Sequence, residues 1–332
     1  MKNYRKFTAA ILGLTMLLCL SACDSGSGSS LSSDRLNIVC TNFPAYDFVR
    51  ETAGERGNAI LLVPPGAESH SFEPTPQDMA MLSECDLIVA NGGVGEQWLS
   101  TMLSAGEIDA PVIYMLDCVE ALEEEHKEGM QQAGHAHEHD EHCEHEHEHE
   151  HEHEHEAEFD EHVWTSPVNA AKISEAICTA LCTIDPEGAE EYSANYAGYS
   201  AKLMELDGKF REVTEGAEHR LMIFADRFPV RYFTEEYGLE YYAAFPGCAE
   251  DTEPSAKTVA FLIDKVREEG IGAVYYIEFS NGKMADVIVE DTGCKKLLFH
   301  SCHNVGADEL EAGVSYLSLM EKNLESLREG LG

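Results

Sequence analysis

The sequence predicts an α/β protein of two lobes, each with a mostly parallel sheet flanked by helices, joined by one long rigid helix. Three observations carry this. Short apolar runs alternate with amphipathic stretches twice along the chain, the pattern of strands and crossover helices in parallel sheets. Between the two sets, one stretch from Pro186 to Gly216 keeps apolar residues at i, i+3/i+4 spacing without a break. The 332 residues suffice for two lobes of about 150 each.

In order, the first lobe reads as strand 36–41 (LNIVCT), a helix through Tyr46, Phe48 and Val49, strand 59–63 (AILLV), helix 77–84, strand 86–90 (DLIVA), helix 97–103 and strand 111–116 (PVIYML). Helix 168–184 closes it. Asp185 suits an N-cap and Pro186 a first helical turn. The stripe Tyr192, Tyr196, Tyr199, Leu203, Leu206, Phe210, Val213 then predicts a strut of roughly 45 Å at about 1.5 Å per residue. The second lobe repeats the theme: a strand within 219–225, helix 230–237, strand 241–245, helix 258–269, strand 273–279 (AVYYIEF), helix 284–291 and strand 296–299 (KLLF). One final amphipathic helix is expected through Leu310, Val314, Leu317, Met320 and Leu324.

The start of the chain is a separate matter. A basic n-region with Lys2, Arg5 and Lys6 precedes an apolar run too short for a stable span. Leu20-Ser21-Ala22-Cys23 matches a bacterial lipoprotein signal, so residues 1–22 read as a signal peptide and Cys23 as the lipidated residue. Residues 23–34, rich in Ser and Gly, read as a flexible tether. The body is then an N-terminal lobe at 35–184, a linking helix at 185–216 and a C-terminal lobe at 217–332. No other run is long enough to cross a bilayer. The formal net charge of −40 would repel nucleic acid and attract cations. Of eleven cysteines, Cys19 leaves with the signal and Cys23 takes lipid. Cys248 and Cys302 lie in candidate site loops and are the suggested disulfide pair. Cys178 and Cys182, at helical spacing on an apolar face, read as buried thiols.

Within the first lobe, 120–159 reads as a disordered loop. It carries His135, His137, His139, His142, His145, His147, His149, His151, His153 and His155, most alternating with Glu. Alternation without an apolar face argues against a strand. Asp and Glu alone would make a spacer, so the imidazoles point to metal capture: neutral imidazole is a common zinc ligand and carboxylates concentrate cations.

Four further segments put ligating side chains in loops after predicted strands: His70 with Glu73 in PPGAESHSFEPTPQD, His162 in 160–167, Glu278 at the end of AVYYIEF, and His300 and His303 after KLLF. Strand C-termini are where parallel sheets carry their sites.

The motifs PPGAESHSFEPTPQD and DEHVWTSP, the strut, TEEYGL and the terminal LxxxxxNLxxLxxGL pattern resemble the zinc/manganese solute-binding lipoproteins of bacterial ABC importers. The acidic His-rich loop resembles the zinc branch. The resemblance implies two α/β lobes joined by a rigid helix, a metal in the cleft, and ligands at His70 and His162. It also implies a third His in the first loop of the second lobe, ahead of a Tyr-Phe pair; counting back from Tyr232-Phe233 places Arg227 there. The acid expected near the last strand falls where this chain reads HSCHN. His303 or His300 is therefore the candidate for the missing imidazole, with an oxygen from Glu278 or Asp226. Arg227 is expected to pair with an acid such as Asp226 or Glu250.

The reading is thus a lipid-anchored receptor on the extracytoplasmic face of a bacterial cell membrane, monomeric, not an enzyme. It captures Zn2+ as cargo and delivers it to an ABC permease. The alternatives are a Mn2+ receptor of the same type, a metal-buffering or adhesive surface lipoprotein, and a secreted zinc hydrolase. The last lacks an HExxH or GxSxG motif.

Overall fold

The structure, a computed structural model, describes residues 30–67, 72–131, 159–249 and 254–332. The signal segment, Cys23, His70, the His/Glu tract from 132 to 158, and Glu250 lie outside them.

The first sheet contains β1 (Leu36–Cys40), β2 (Gly57–Leu61), β3 (Leu87–Ala90) and β4 (Val112–Tyr114) in the order β2-β1-β3-β4, all parallel. Its helices are α1 (Phe43–Ala53), α2 (Pro76–Glu84) and α3 (Gln97–Ala105). Local chemistry sets where two of them begin. Asn42 accepts the Ala45 N–H at the start of α1, and Thr75 and Asp78 cap α2 reciprocally. Helix α4 (Pro167–Ile184) starts behind Ser166 and leads to α5 (Ala189–Gly216).

The second sheet repeats the first with β5 (Leu221–Phe228), β6 (Glu240–Pro246), β7 (Ala273–Tyr276) and β8 (Lys295–Leu298) in the order β6-β5-β7-β8, again all parallel. Its helices are α6 (Arg231–Tyr237), α7 (Ala256–Glu269), α8 (Lys283–Thr292), α9 (Ala307–Glu311) and α10 (Tyr316–Leu331). No described helix is long and apolar enough to cross a membrane.

The 28-residue α5 is about 42 Å long and packs on α1, α4 and α10. Tyr192, Tyr199, Leu203, Leu206 and Phe210 are buried, following the sequence stripe. Its start differs from expectation. Asp185 does not cap it; its carboxylate takes the Arg56 Nε–H at 2.9 Å and the Tyr192 hydroxyl at 2.8 Å, and Pro186–Gly188 form a 3-10 turn first.

Both sheets bury one face in a single shared core. Ile38, Phe48 and Trp164 of the first lobe, Phe210 of the strut, and Phe224, Phe299 and Tyr316 of the second belong to one cluster. Two smaller cores cover the outer faces, one around Leu82 and Leu99 and one around Leu262 and Ile288. A shared core resists hinge motion, because packed interiors do not deform continuously.

Four expectations are corrected. The expected single C-terminal helix is two, α9 and α10, broken where Gly313 takes φ 75°. Strand β7 ends at Tyr276, so Ile277–Phe279 form loop, with Phe279 at φ 58°. Strand β5 runs on to Phe228, so Asp226 and Arg227 belong to a strand rather than a loop. The segment 120–131, expected to be disordered, lies along the second lobe. Gln131 N–H donates to Ala244 O at 2.8 Å, the Tyr241 hydroxyl donates to Glu125, and Lys127 sits 4.2 Å from the Tyr241 ring centroid. The chain re-enters at Phe159, bridged to Glu123. Polar partners distant in sequence order this strap, which no local periodicity announces.

The thiols of Cys248 and Cys302 are both free, so the suggested pair is not formed. Cys302 is wholly buried, its Sγ directed to His300 O at 3.8 Å. Cys178 and Cys182 are free thiols on α4, Cys178 buried and Cys182 half-buried.

Candidate metal centre

The loops after the strand C-termini of both sheets meet at one cavity of about 240 Å3. His162, Gly66 and Ala67 line it from the first lobe; Arg227, Glu278 and His303 line it from the second.

His162 is almost fully buried, on the bend ahead of α4. The Asp160 carboxylate receives both its backbone N–H, at 2.8 Å, and its ring Nδ1, at 3.1 Å. With the carboxylate as acceptor, Nδ1 carries the proton and Nε2 the lone pair, the tautomer that ligates metal through Nε2. Burial opposes the imidazolium. The charge and hydrogen bond of Asp160, with Glu161 and Glu124 beyond, outweigh it and hold the His162 pKa above its ordinary value. Asp160 is itself fixed: Tyr232 donates to its carbonyl at 2.9 Å, and its N–H donates to Leu122 O. On the other side, a Cβ at Gly247 would lie 3.1 Å from the His162 ring, so glycine lets β6's end approach closely.

His303 faces His162 edge to face, ring centroids 5.6 Å apart. Two imidazoles on one tetrahedral zinc, at about 2.0 Å per Zn–N bond, place their centroids roughly 5 Å apart, so this separation fits a shared ion. Trp164 packs beside both rings, at 5.5 Å from His162 and 4.9 Å from His303. Its indole N–H donates to Ser301 O at 2.8 Å, which ties the His303 loop to the first lobe.

Glu278 is also at the wall, its Oε2 receiving the Ser301 N–H at 2.7 Å and its Oε1 the Ser301 hydroxyl. His300 is not brought to the cavity. Its Nδ1 accepts the Cys302 N–H at 2.9 Å, and Asn323 brackets its backbone N–H and carbonyl, each at 2.7 Å. The ring thus supports the left-handed turn at Cys302, φ 62°, that sends His303 outward. Asp226 is buried behind Arg227, takes the Arg227 N–H at 2.9 Å, and is absent from the cavity wall. Burial pushes its pKa up, against hydrogen bonds from Ser280 and the Arg227 backbone.

His70 lies outside the described residues, but the stem of its loop does not. Asn304 donates to the carbonyls of Pro64 and Ala67, both at 2.9 Å, and Gly66 N–H donates to Val305 O. Ala67, three residues before His70, is therefore held at the cavity wall. Among the described residues no three His, Cys, Asp or Glu side chains close around one point. Two imidazoles, His162 and His303, line the cavity, with the stem of the loop that carries His70 beside them.

Sequence reasoning missed Asp160, Ser301, Asn304 and Gly247. The only signal for Asp160 was an acid two residues before a candidate ligand.

A family model for ZnuA, zinc-uptake complex component A, periplasmic, matches residues 38–330. The chain belongs to the ZnuA family. Among ZnuA relatives, the high-affinity zinc uptake system protein ZnuA of Bacillus subtilis (strain 168) is 31% identical over 99% of this chain and 98% of that protein. The zinc-binding lipoprotein AdcA of Streptococcus pneumoniae (strain ATCC BAA-255 / R6) is 28% identical over 99% of this chain, which spans 61% of that protein. The Zn(II)-bound ZnuA-like domain of Streptococcus pneumoniae AdcA superimposes with a TM-score of 0.71 at 28% identity, covering 90% of this chain and 99% of that one. The metal-dependent lipoprotein YcdH of Bacillus subtilis gives 0.72 at 28% identity, with the same coverage.

Proposed function

We propose that this chain is the extracytoplasmic receptor of a bacterial ABC importer, capturing Zn2+ between its lobes and passing it to the permease. The observation that carries this is the His162–His303 pair. One imidazole comes from each lobe, 5.6 Å apart, and one of them is oriented by a buried carboxylate in the manner of a zinc-ligating histidine. His162 and His303 supply two nitrogens, His70 the third from the loop rooted at Ala67, and the last position is filled by an oxygen at the Glu278 side. A nitrogen-rich set favours zinc over manganese, which takes more oxygen ligands.

The zinc named in its relatives supports this reading, as does the sequence around Cys23. Residues 1–22 direct export, lipidated Cys23 anchors the chain, and 23–34 tether a monomeric body of lobe 35–184, strut 185–216 and lobe 217–332. The chain's work is binding and release, with no catalytic step. The ten histidines of the tract gather metal near the site, since the chain re-enters at Phe159, three residues before His162.

The test is competitive zinc titration of the full chain beside His162→Ala, His303→Ala and a deletion of 134–156. One tight site that survives the deletion and is lost in both histidine variants is expected. Tight binding that vanishes with the tract and ignores His162 and His303 would reduce the chain to a surface metal buffer. A permease deletion that leaves zinc uptake unchanged would remove the importer.

A further inference from the structure

We propose that the strap, residues 120–131, is a clamp on His162 that sets how long zinc stays bound, with Glu124 and Tyr232 as positioning residues. The inference rests on the zinc-receptor reading above and gives a role to a segment that is not part of the cavity wall.

The strap reaches His162 from two sides. On one side it closes a ring of three hydrogen bonds. The Asp160 N–H donates to Leu122 O at 2.9 Å, the Leu122 N–H donates to the Tyr232 hydroxyl at 3.1 Å, and that hydroxyl donates to Asp160 O at 2.9 Å. The ring fixes the backbone of Asp160, whose carboxylate orients His162. On the other side, the Glu124 carboxylate accepts the Cys248 N–H at 3.2 Å. Cys248 follows Gly247, which stands so close that a Cβ there would lie 3.1 Å from the His162 ring. The imidazole is thus gripped between Asp160 and Gly247, and the strap holds both. Of the charges that raise the His162 pKa, Glu124 ranks last in size, behind Asp160 and Glu161, so its main contribution is the bond to Cys248.

What holds the strap itself is polar. The Tyr241 hydroxyl donates to Glu125 at 3.1 Å, Lys127 lies over the same ring, and the Ser255 N–H donates to the Gln131 side chain at 2.6 Å. No residue from 120 to 131 is buried. A segment with so little buried apolar surface opens locally at far lower cost than a core strand or helix. The two lobes share one core, which opposes hinge motion, so a smaller moving part suits the release of zinc. With the strap in place, Asp160 and Gly247 confine the imidazole. With it lifted, the three-bond ring opens and Nε2 loses its aim. Linkage is reciprocal, so zinc on His162 must in turn hold the strap down.

The test is zinc release from the full chain by stopped-flow chelation, reading the slowest phase, beside amide hydrogen exchange with and without zinc. Glu124→Ala and Tyr232→Phe are each expected to release zinc about tenfold faster or more, the usual size of losing a group that supports a ligating histidine, with the association rate nearly unchanged. Glu124→Gln keeps an acceptor for the Cys248 N–H and should release zinc at close to the wild-type rate, which a role through charge would not allow. In the wild-type chain, zinc should slow exchange at the Leu122 and Cys248 amides more than along α8, and it should not do so in His162→Ala. A wild-type release rate from either Glu124→Ala or Tyr232→Phe overturns the clamp and leaves the receptor intact. Exchange at Leu122 and Cys248 that ignores zinc overturns it however the variants fold. Glu124→Gln releasing as fast as Glu124→Ala overturns the bracing role of Glu124. No tight zinc site in the wild-type chain removes the receptor reading, and the clamp with it.

Discussion

Asn304 donates its side-chain amide to the carbonyl of Ala67 at 2.9 Å, joining the second-lobe loop that carries His303 to the stem of the first-lobe loop that carries His70. A second bond from the same amide reaches Pro64 O, and Asn304 is buried. One side chain thus ties together the two loops that carry the proposed ligands His303 and His70. Asn304→Ala removes both bonds, though Pro64 O keeps the Ala67 N–H at 3.0 Å, so the cost is about 1 kcal/mol. Zinc affinity is expected to fall by at least about tenfold as the two loops lose register. Chemical unfolding and chelator competition on the same preparation check both. Lower stability with an unchanged Kd would mean that the amide supports the fold alone.

The pairing of Asp160 with His162 makes a separate prediction. Asp160→Asn keeps the shape but replaces an acceptor by a group that can present N–H to Nδ1, favouring the wrong tautomer. Zinc affinity should drop about 10–100-fold, the usual effect of removing such a carboxylate. Thermal melting without zinc should move much less than the affinity. An unchanged zinc Kd would show that the tautomer is set by something other than Asp160.

The strands were legible because buried strands of parallel sheets are written as apolar runs such as LNIVC and LIVA, and the strut because its stripe never breaks. Strand ends were not, since β5's last residues depend on a bulge against β6. The polar strap before residue 131 is ordered by Tyr241 and Ala244, more than a hundred residues away. In the site, the candidate segments were visible as histidines and acids after strands. Which of His300 and His303 faces the cavity was not, because it turns on the left-handed conformation of Cys302, which a non-glycine residue does not announce.

Phe279 offers a test of backbone strain at the same cleft. It holds φ 58°, is 57% exposed and belongs to the cavity wall beside Glu278. A bulky side chain in the left-handed region costs about 1–2 kcal/mol, which glycine avoids. Phe279→Gly should therefore be more stable than Phe279→Ala by about 1 kcal/mol, the reverse of the order at an ordinary loop position. Both variants remove the ring from the rim, and both should release zinc faster in stopped-flow chelation. Equal stability of the two variants would mean that the left-handed conformation is relaxed at no cost.

Asp47 predicts how the fold answers to pH. It is fully buried on α1, receives the Tyr316 N–H at 2.8 Å and pairs with Arg50 at 2.6 Å. Burial outweighs these partners and pushes its pKa up from 3.8 to about 6. The fold therefore binds the proton more tightly than the unfolded chain does. The stability that Asp47 contributes is full below its unfolded pKa and is lost as pH rises through the folded one. Asn keeps an acceptor for Tyr316 without the buried charge. Relative to wild type, Asp47→Asn should gain stability between pH 4 and 7, by up to about 3 kcal/mol at 1.36 kcal/mol per pKa unit, and stay level above that. Urea unfolding at several pH values checks it. If wild type instead gains on the variant as pH rises, the Arg50 pair outweighs burial and Asp47 is held below the usual carboxylate range.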